Sequence, residues 1–288
     1  MKILVTGASG NVGRYVVNEL LQMGEKVVVA GTNTGKLKEL FGDVVDVIQF
    51  DFTDQDTYKA ALKDVDRVFL MRPPHLGKPQ DLYPFIDAMK LSNIRLVAFL
   101  SLMGVERNTV PPHHKIEKYI EAADIPYAHI RPGFFMQNIS GIHANEIREQ
   151  DLIFIPGGNS KVSFIDAADI GLSVAVILKE AEKYKNTTHT ITGPEALDYD
   201  QVSKILSRST GRKITYANPG YLRYRDYYIN KRGLDKKYVN VTVALYFITR
   251  LGTAKEVTDE FYQLTGKQAN TFAHFAKENK ILFMREER

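Results

Sequence analysis

Cysteine is absent from the 288-residue chain, which removes disulfides, thiolate nucleophiles and cysteine-held metal sites from its chemistry. Such usage suits a reducing compartment, and a cytoplasmic protein is expected. Long apolar runs are missing as well: the longest, Leu96 to Val105, is broken by Ser101 and Gly104 and is too short to cross a bilayer. The N-terminus carries one lysine and then reads directly into a folded pattern, so neither a signal peptide nor a membrane partner is expected. No basic stripe is interleaved with aromatics, which argues against nucleic acid, and no histidine spacing makes a metal site. Internal repeats, low-complexity tracts and long linkers are also lacking. Basic residues gather only around positions 204–237, a tract that reads as a solvated face or an anion-facing surface. What remains, with 44% hydrophobic and 25% charged residues and a net charge of +4, is an ordinary globular composition. The length suits one large domain or a domain with an appended lobe.

The strongest positive signal lies at the start. Met1 to Val5 favour a strand, glycines follow at positions 7, 10 and 13, and Val12, Val16, Val17, Leu20 and Leu21 recur at helical spacing. A strand, a glycine-rich turn and a buried helix face form the context in which such glycines mean a dinucleotide. Gly7 permits the tight turn, Gly10 lets the backbone approach a pyrophosphate, and Gly13 lets helix and strand pack closely. Ser9, Asn11 and Val12 complete the turn, whose first-helix amides would face the phosphates at the positive end of the helix dipole.

Lys26 to Ala30 reads as a second strand, and Gly31-Thr32-Asn33-Thr34-Gly35-Lys36 then lies where a dinucleotide fold reads the adenosine ribose. An acidic residue there selects NAD and a basic one NADP, and neither stands at the strand end. Thr32 and Asn33 can bond either group and Lys36 can supply charge, so NADP is favoured with NAD left open. Val44 to Phe50 is a third strand, followed by Asp51 and Phe52; Asp51 is either a ligand of the adenine amino group or a turn carboxylate. A fourth strand, Asp66 to Leu70, leads into Met71-Arg72-Pro73-Pro74, a stiff loop placed against the cofactor, where Arg72 meets pyrophosphate or solvent. A helix with Leu82, Phe85, Ile86 and Met89 on one face precedes the almost wholly apolar Ile94 to Ser101, a central parallel strand.

Strand and helix have by then alternated five times, which predicts an α/β fold: a Rossmann-type doubly wound parallel sheet with ligands at the strands' carboxyl ends. A sixth strand, Pro126 to Arg131, is placed near the edge. Short strands at Lys161 to Ile165 and Thr187 to Thr192 precede a mostly helical pattern from Asp198. Residues 1–155 are therefore expected to form the NAD(P)-binding domain. Residues 156–288 are expected as a mixed region that completes the sheet and adds a smaller, mostly helical lobe over the cofactor's reactive end. Asp166 and Asp169 read as capping or structural carboxylates, and Tyr221, Tyr224, Tyr227 and Tyr228 as a cap over hydrophobic surface.

These motifs carry a family resemblance. Thr6-Gly7-Ala8-Ser9-Gly10-Asn11-Val12-Gly13, the Asp51-Phe52 pair and Ser101-Leu102-Met103-Gly104 resemble the short-chain dehydrogenase/reductases. Glu117 to Tyr127, the run Ile130-Arg131-Pro132-Gly133-Phe134-Phe135-Met136-Gln137-Asn138, Thr192-Gly193-Pro194-Glu195-Ala196-Leu197 and Leu264-Thr265-Gly266-Lys267 look like the NmrA-like, atypical branch. The similarity spans nearly the whole chain and is greatest to quinone-reductase, azoreductase and triphenylmethane-reductase-like members. It implies a cofactor site that takes in Met71, Arg72, Pro73, Ser101, His113, Pro132, Gly133 and Phe134. It also implies an acceptor pocket lined by Phe134, Phe135, Met136 and Asn138, where aromatic and methionine side chains suit a flat apolar molecule or simply pack the core.

The larger superfamily protonates a carbonyl with a tyrosine helped by a lysine four residues later, a spacing that puts both on one helix face. By alignment to the family, Thr109 and His113 occupy those positions here, and the Tyr227/Lys231 match lies far beyond the nucleotide-binding strands. His113 is the one candidate catalytic group; it donates a proton, touches the ribose or faces solvent. Without a matched acid, hydride delivery suits an acceptor that delocalises the incoming charge. The expected function is an NAD(P)H-dependent reductase of a small, flat, electron-poor aromatic acceptor such as a quinone, an azo compound or a cationic dye. The alternative is a non-catalytic NAD(P)-sensing regulator that binds a protein partner. Metal dependence is not expected, and the oligomeric state is left open.

Overall fold

The computed structural model describes residues 1–285. From the N-terminus the elements are β1 (Lys2–Thr6), α1 (Gly13–Gln22), β2 (Val27–Gly31), α2 (Thr34–Phe41), β3 (Asp46–Gln49), α3 (Tyr58–Ala61), β4 (Val65–Met71), α4 (Tyr83–Leu91), β5 (Leu96–Leu100), α5 (Pro112–Ala122) and β6 (Tyr127–Pro132). Then come β7 (Phe134–Phe135), α6 (Gln137–Ser140), α7 (Ala144–Gln150), β8 (Leu152–Ile153), β9 (Val162–Ile165), α8 (Ala167–Lys179), β10 (Thr187–Ile191), β11 (Ala196–Leu197), α9 (Tyr199–Thr210) and β12 (Thr215–Tyr216). Last are α10 (Tyr221–Asp226), α11 (Lys236–Arg250), α12 (Glu260–Thr265) and α13 (Phe272–Glu278), with a π-helical stretch over Tyr227–Lys231.

Packing divides the chain into two units. The first comprises Met1–Pro132, Ala167–Ile191 and Glu260–Lys267; the second comprises Gly133–Asp166, Thr192–Asp259 and the chain from Gln268. A single cut at 155/156 does not coincide with this division, because α8, β10 and α12 belong to the first unit. The composition of α8 explains the return. Ile170, Val174, Ala175, Ile177 and Leu178 are all buried, and a helix so apolar must lie on a sheet rather than face solvent. Gly171 brings it against α1, where a Cβ would stand 2.4 Å from the Tyr15 Cβ.

The first unit is built on a seven-stranded sheet in the order β10-β6-β5-β4-β1-β2-β3, with every pairing parallel. This is the doubly wound sheet that the strand–helix alternation predicts, with β6 one strand in from the edge and β10 completing it. Alternate residues divide between its faces. Leu4, Val28, Val68, Leu70, Val97 and Phe99 form one core with Phe85, Ile86 and Met89 of α4 and Ile116 and Ile120 of α5. Ile3, Val5, Phe69 and Ala98, also buried, alternate with them toward the opposite face. The strand order reverses between β1 and β4, so the loops leaving these two strands part and open a crevice at their carboxyl ends.

The second unit contains a three-stranded sheet, β11-β9-β7, a two-stranded pair, β12-β8, and helices α6, α7, α9, α10, α11 and α13. It is mostly helical, as the pattern after Asp198 predicts. Its tyrosines differ from expectation. Tyr224 and Tyr228 are fully buried rather than capping a surface, and Tyr228 bonds both His143 and Glu146, at 2.7 and 3.0 Å. Buried phenols need such partners, which three-residue spacing along a sequence does not reveal.

Candidate functional site

The glycine turn occupies the mouth of the crevice. Gly7 has φ +63°, and a Cβ on it would lie 2.0 Å from the Met71 sulfur, so both backbone and packing demand glycine there. Thr6 ties the strand ends together: its hydroxyl donates to the Phe69 carbonyl (3.0 Å) and accepts from the Met71 amide (3.1 Å). Met71 is thus placed on the turn itself. The Gly10 amide donates to the Gly7 carbonyl at 2.9 Å and closes the loop. A Cβ on Gly13 would stand 2.2 Å from that carbonyl oxygen, which accounts for close packing at the start of α1. Among the described residues, the amides of Asn11, Val12 and Gly13 donate to no protein acceptor. Unpaired amides at the positive end of a ten-residue helix, on a turn bare of side chains, fit a pyrophosphate.

Beside the turn lies a cleft of about 200 Å³ lined by Thr6 to Ser9, Ala30 to Asn33, Leu37, Phe50 to Phe52, Pro73, His75 and Leu76. It gathers Gly7, Ser9, Thr32, Asn33, Asp51, Phe52 and Pro73 from four separate stretches of the chain. No carboxylate stands at the end of β2. Asn33, which lines the cleft, caps α2, its side-chain oxygen accepting from the Lys36 amide at 2.9 Å, and Lys36 is exposed. Asp51 is a turn carboxylate that also faces the cleft. Its Oδ1 accepts from the Thr53 amide and hydroxyl, at 2.8 and 2.7 Å, and the residue also lines the cleft. Those two bonds hold its carboxyl below the usual range, so it is ionised at neutral pH. His75 and Leu76 were not singled out from the sequence. Their only signal there was the length of the loop after a Pro-Pro pair, and folding of that loop over the cleft brings them in.

On the other side of the switch point, at the ends of β4 and β5, Arg72 and His113 come together. One Arg72 nitrogen donates to the carbonyls of Pro73 and Leu76, pinning the loop, while its buried Nε has no partner among protein atoms. His113, the second residue of α5, packs its ring 6.1 Å from that of Phe99, and its buried Nδ1 likewise lacks a protein partner. Burial, and then the Arg72 charge, push the His113 imidazole down to about 3. A ring neutral at neutral pH can donate or accept a hydrogen bond, but it cannot deliver a proton as an imidazolium. It is half-buried, so it does not simply face solvent. Ser101 is buried at the end of β5, while Thr109 is exposed on the loop before α5.

Deeper on α5, Arg131 grips Glu117 with two bonds of 3.0 and 2.6 Å. Burial pushes the Glu117 carboxyl up, but Arg131, His129 and Ser101 together bring it below its ordinary value. Glu117, Glu121 and His129 place their ligand atoms within 4.8 Å of one another. Both carboxylates have cationic partners in this arrangement: the Arg131 guanidinium stands against Glu117, and Lys118 holds Glu121 at 2.7 Å.

Pro132 closes β6, and Gly133 begins the second unit, where a Cβ would lie 2.6 Å from the Ser163 carbonyl. Phe134 and Phe135 form β7, paired with Phe164 and Ile165, and are half-buried, as is Asn138. Met136 is buried within this unit, its amide donating to Ile165. Asp166 accepts from Gln137 at 2.7 Å and Asn270 at 3.2 Å, a structural carboxylate. Tyr227, on the π-helical stretch of the second unit, is bonded to Gln150 at 2.8 Å and to Glu146 at 3.2 Å.

Residues 1–229 match the model of the NmrA-like family. The chain belongs to that family. Similar proteins cover nearly the whole chain. A prestalk A differentiation protein A from Dictyostelium discoideum is 31% identical over 96% of this chain and 92% of its own. An NAD(P)H azoreductase from Xenophilus azovorans is 29% identical over 98% of this chain and 99% of its own. Among solved structures, an NADPH-dependent quinone oxidoreductase from Escherichia coli in complex with NADPH superposes with a TM-score of 0.87. It has 21% identity and coverage of 96% and 99% of the two chains. The NmrA-like fold seen in the first unit is therefore shared with an NADPH-binding structure.

Proposed function

We propose that this protein is an NADP-dependent reductase that delivers hydride to a flat, electron-poor aromatic acceptor of the quinone or azo type. The observation that carries the reading is the combination in the first unit of a glycine turn with unpaired helix amides and a ribose position free of carboxylate. Asn11, Val12 and Gly13 would hold the pyrophosphate, Thr32 and Lys36 a 2′-phosphate, and the free oxygen of Asp51 the adenine amino group. His75, which lines the same cleft, would stand beside the adenine. Arg72 Nε and His113 Nδ1, both buried and unpaired, would bond the ribose and carboxamide of the nicotinamide half. The bound dinucleotide would supply the hydride.

The acid step distinguishes this reading from carbonyl reduction. No ionisable group at the ends of β4 and β5 is matched to protonate an alkoxide, since His113 is neutral and Thr109 lies exposed on a loop. An acceptor that spreads the charge over an aromatic system can take its proton from water, and the chain then contributes position and exclusion of solvent. Phe134, Phe135, Met136 and Asn138 are proposed as acceptor-side residues on their position after β6 and on family resemblance. The azoreductase name of one relative and the quinone oxidoreductase name of a structural neighbour support the acceptor class.

The missing acid also supports a second reading, a dinucleotide sensor that binds and does not turn over. Oxidation of NADPH and NADH, followed by absorbance against a panel of quinones, azo compounds and cationic dyes with binding measured in parallel, separates the two. Turnover preferring NADPH supports the reductase. Tight binding without turnover on any acceptor overturns it in favour of the sensor.

A further inference from the structure

We propose that the outer face of α11 is a docking surface for an anionic lipid bilayer. The helix has two apolar sides. Val239, Thr242, Tyr246 and Thr249 are buried within the second unit. Tyr238, Val241, Leu245 and Phe247, with Leu251 at the C-cap, are 40 to 68% exposed. Single exposed hydrophobics are ordinary, but Tyr238, Val241 and Leu245 recur at three- and four-residue spacing and make a continuous stripe. Nothing among the described residues covers it.

The charged residues of the helix itself are all of one sign. Lys236 and Lys237 stand exposed at one end of α11 and Arg250 at the other, and the helix contains no carboxylate. Asp235, just before it, is occupied as the N-cap, accepting from the Tyr238 amide at 2.8 Å. Arg225 of α10 donates to Asn240 of α11 at 2.8 Å, adding a cation on the flank. Lys236 and Lys237 close the basic tract of positions 204–237 that the sequence left open between a solvated and an anion-facing surface.

A second copy of the chain does not satisfy this face. Two such helices packed about a two-fold axis would bring lysines and arginine against lysines and arginine, whatever their direction. An anionic lipid surface complements both features at once, taking the aromatic and aliphatic side chains into its interfacial layer and the cations against its headgroups. No helix of the described residues is long and apolar enough to cross a membrane. Docking on the surface needs no such helix, so the absence of a spanning segment, from which no membrane partner was expected, leaves this route open.

The test is cosedimentation of the full chain with vesicles of phosphatidylcholine alone or with about a third phosphatidylserine. Binding to the anionic vesicles only, and its loss at about 0.5 M salt, is the expected result. The Val241→Glu/Leu245→Glu variant should lose binding, and Lys236→Gln/Lys237→Gln should weaken it about tenfold or more. All these positions are exposed, and an unchanged thermal midpoint shows that the fold is retained. Failure of the wild type to sediment with anionic vesicles overturns the proposal. So does wild-type binding by the double glutamate variant, or a concentration-dependent dimer in size-exclusion chromatography that this variant dissolves.

Discussion

The two glycines of the nucleotide turn should respond differently to the same methyl group. Gly13→Ala places a Cβ 2.2 Å from the Gly7 carbonyl oxygen and 2.8 Å from the Ala8 Cα. Both are backbone atoms, so no rotamer can relieve the clash, and the turn must recede by about an ångström. Overpacking of this kind costs about 1–3 kcal/mol. The gain in helix propensity, about 1 kcal/mol in a helix interior, is smaller at a first helical position. A fall in Tm of about 2–10 °C is expected for the free protein. Gly10→Ala meets only the Gly7 oxygen, at 3.1 Å, and its φ is not in the left-handed region. Its Tm should stay within about 2 °C of wild type. On the proposed reading of the turn, its methyl would hold a phosphate away from the backbone amides. Losing one charge-assisted amide bond of about 1.5–3 kcal/mol raises the NADPH Kd about tenfold or more. Thermal unfolding without cofactor and NADPH titration by fluorescence measure the two effects separately. The reasoning is refuted if both free variants lose the same stability, or if Gly10→Ala binds NADPH as tightly as wild type.

Asn33→Asp keeps the helix cap, because aspartate caps as well as asparagine, but sets a carboxylate at the ribose. The ratio of NADH to NADPH affinity should rise about tenfold with Tm unchanged, and an unaltered ratio would remove this residue from the ribose site. His113 is neutral above about 3. The kcat/KM profile with a quinone should therefore show no inflection from it near its unperturbed pKa, and His113→Ala should lower kcat less than about tenfold. A loss of several hundredfold in kcat would restore a proton-donor role.

Burial also depresses His129 to about 4 and His143 to about 3. Both therefore bind fewer protons folded than unfolded as pH falls below the unfolded value of about 6.5. Stability that is fully present above that pH should be lost as it falls toward 4, each histidine contributing about 1.4 kcal/mol per pH unit. Urea unfolding at a series of pH values checks this, and a midpoint that holds or rises on acidification would contradict it.

The order of elements, the parallel sheet and the glycine turn were legible in the sequence because each depends on neighbours within a turn or two. Period-two and helical spacing decide which face is apolar, and glycine at 7, 10 and 13 answers to contacts inside one loop. The cleft beside the glycine turn was legible in outline because the switch point puts strand ends together. Contacts between distant stretches were not. The protonation of His113 depends on burial and on Arg72, carried by a different strand. His75 reaches the cleft only when its loop closes, and Asn33 is committed to a cap by the course of α2. That the later region completes the sheet was expected, but the packing of α8 against α1 and the exposure of one apolar side of α11 were decided by contacts between segments far apart in the chain. A hydrophobic residue reads the same in sequence whether its face is covered or left to solvent, and only the tertiary structure decides which.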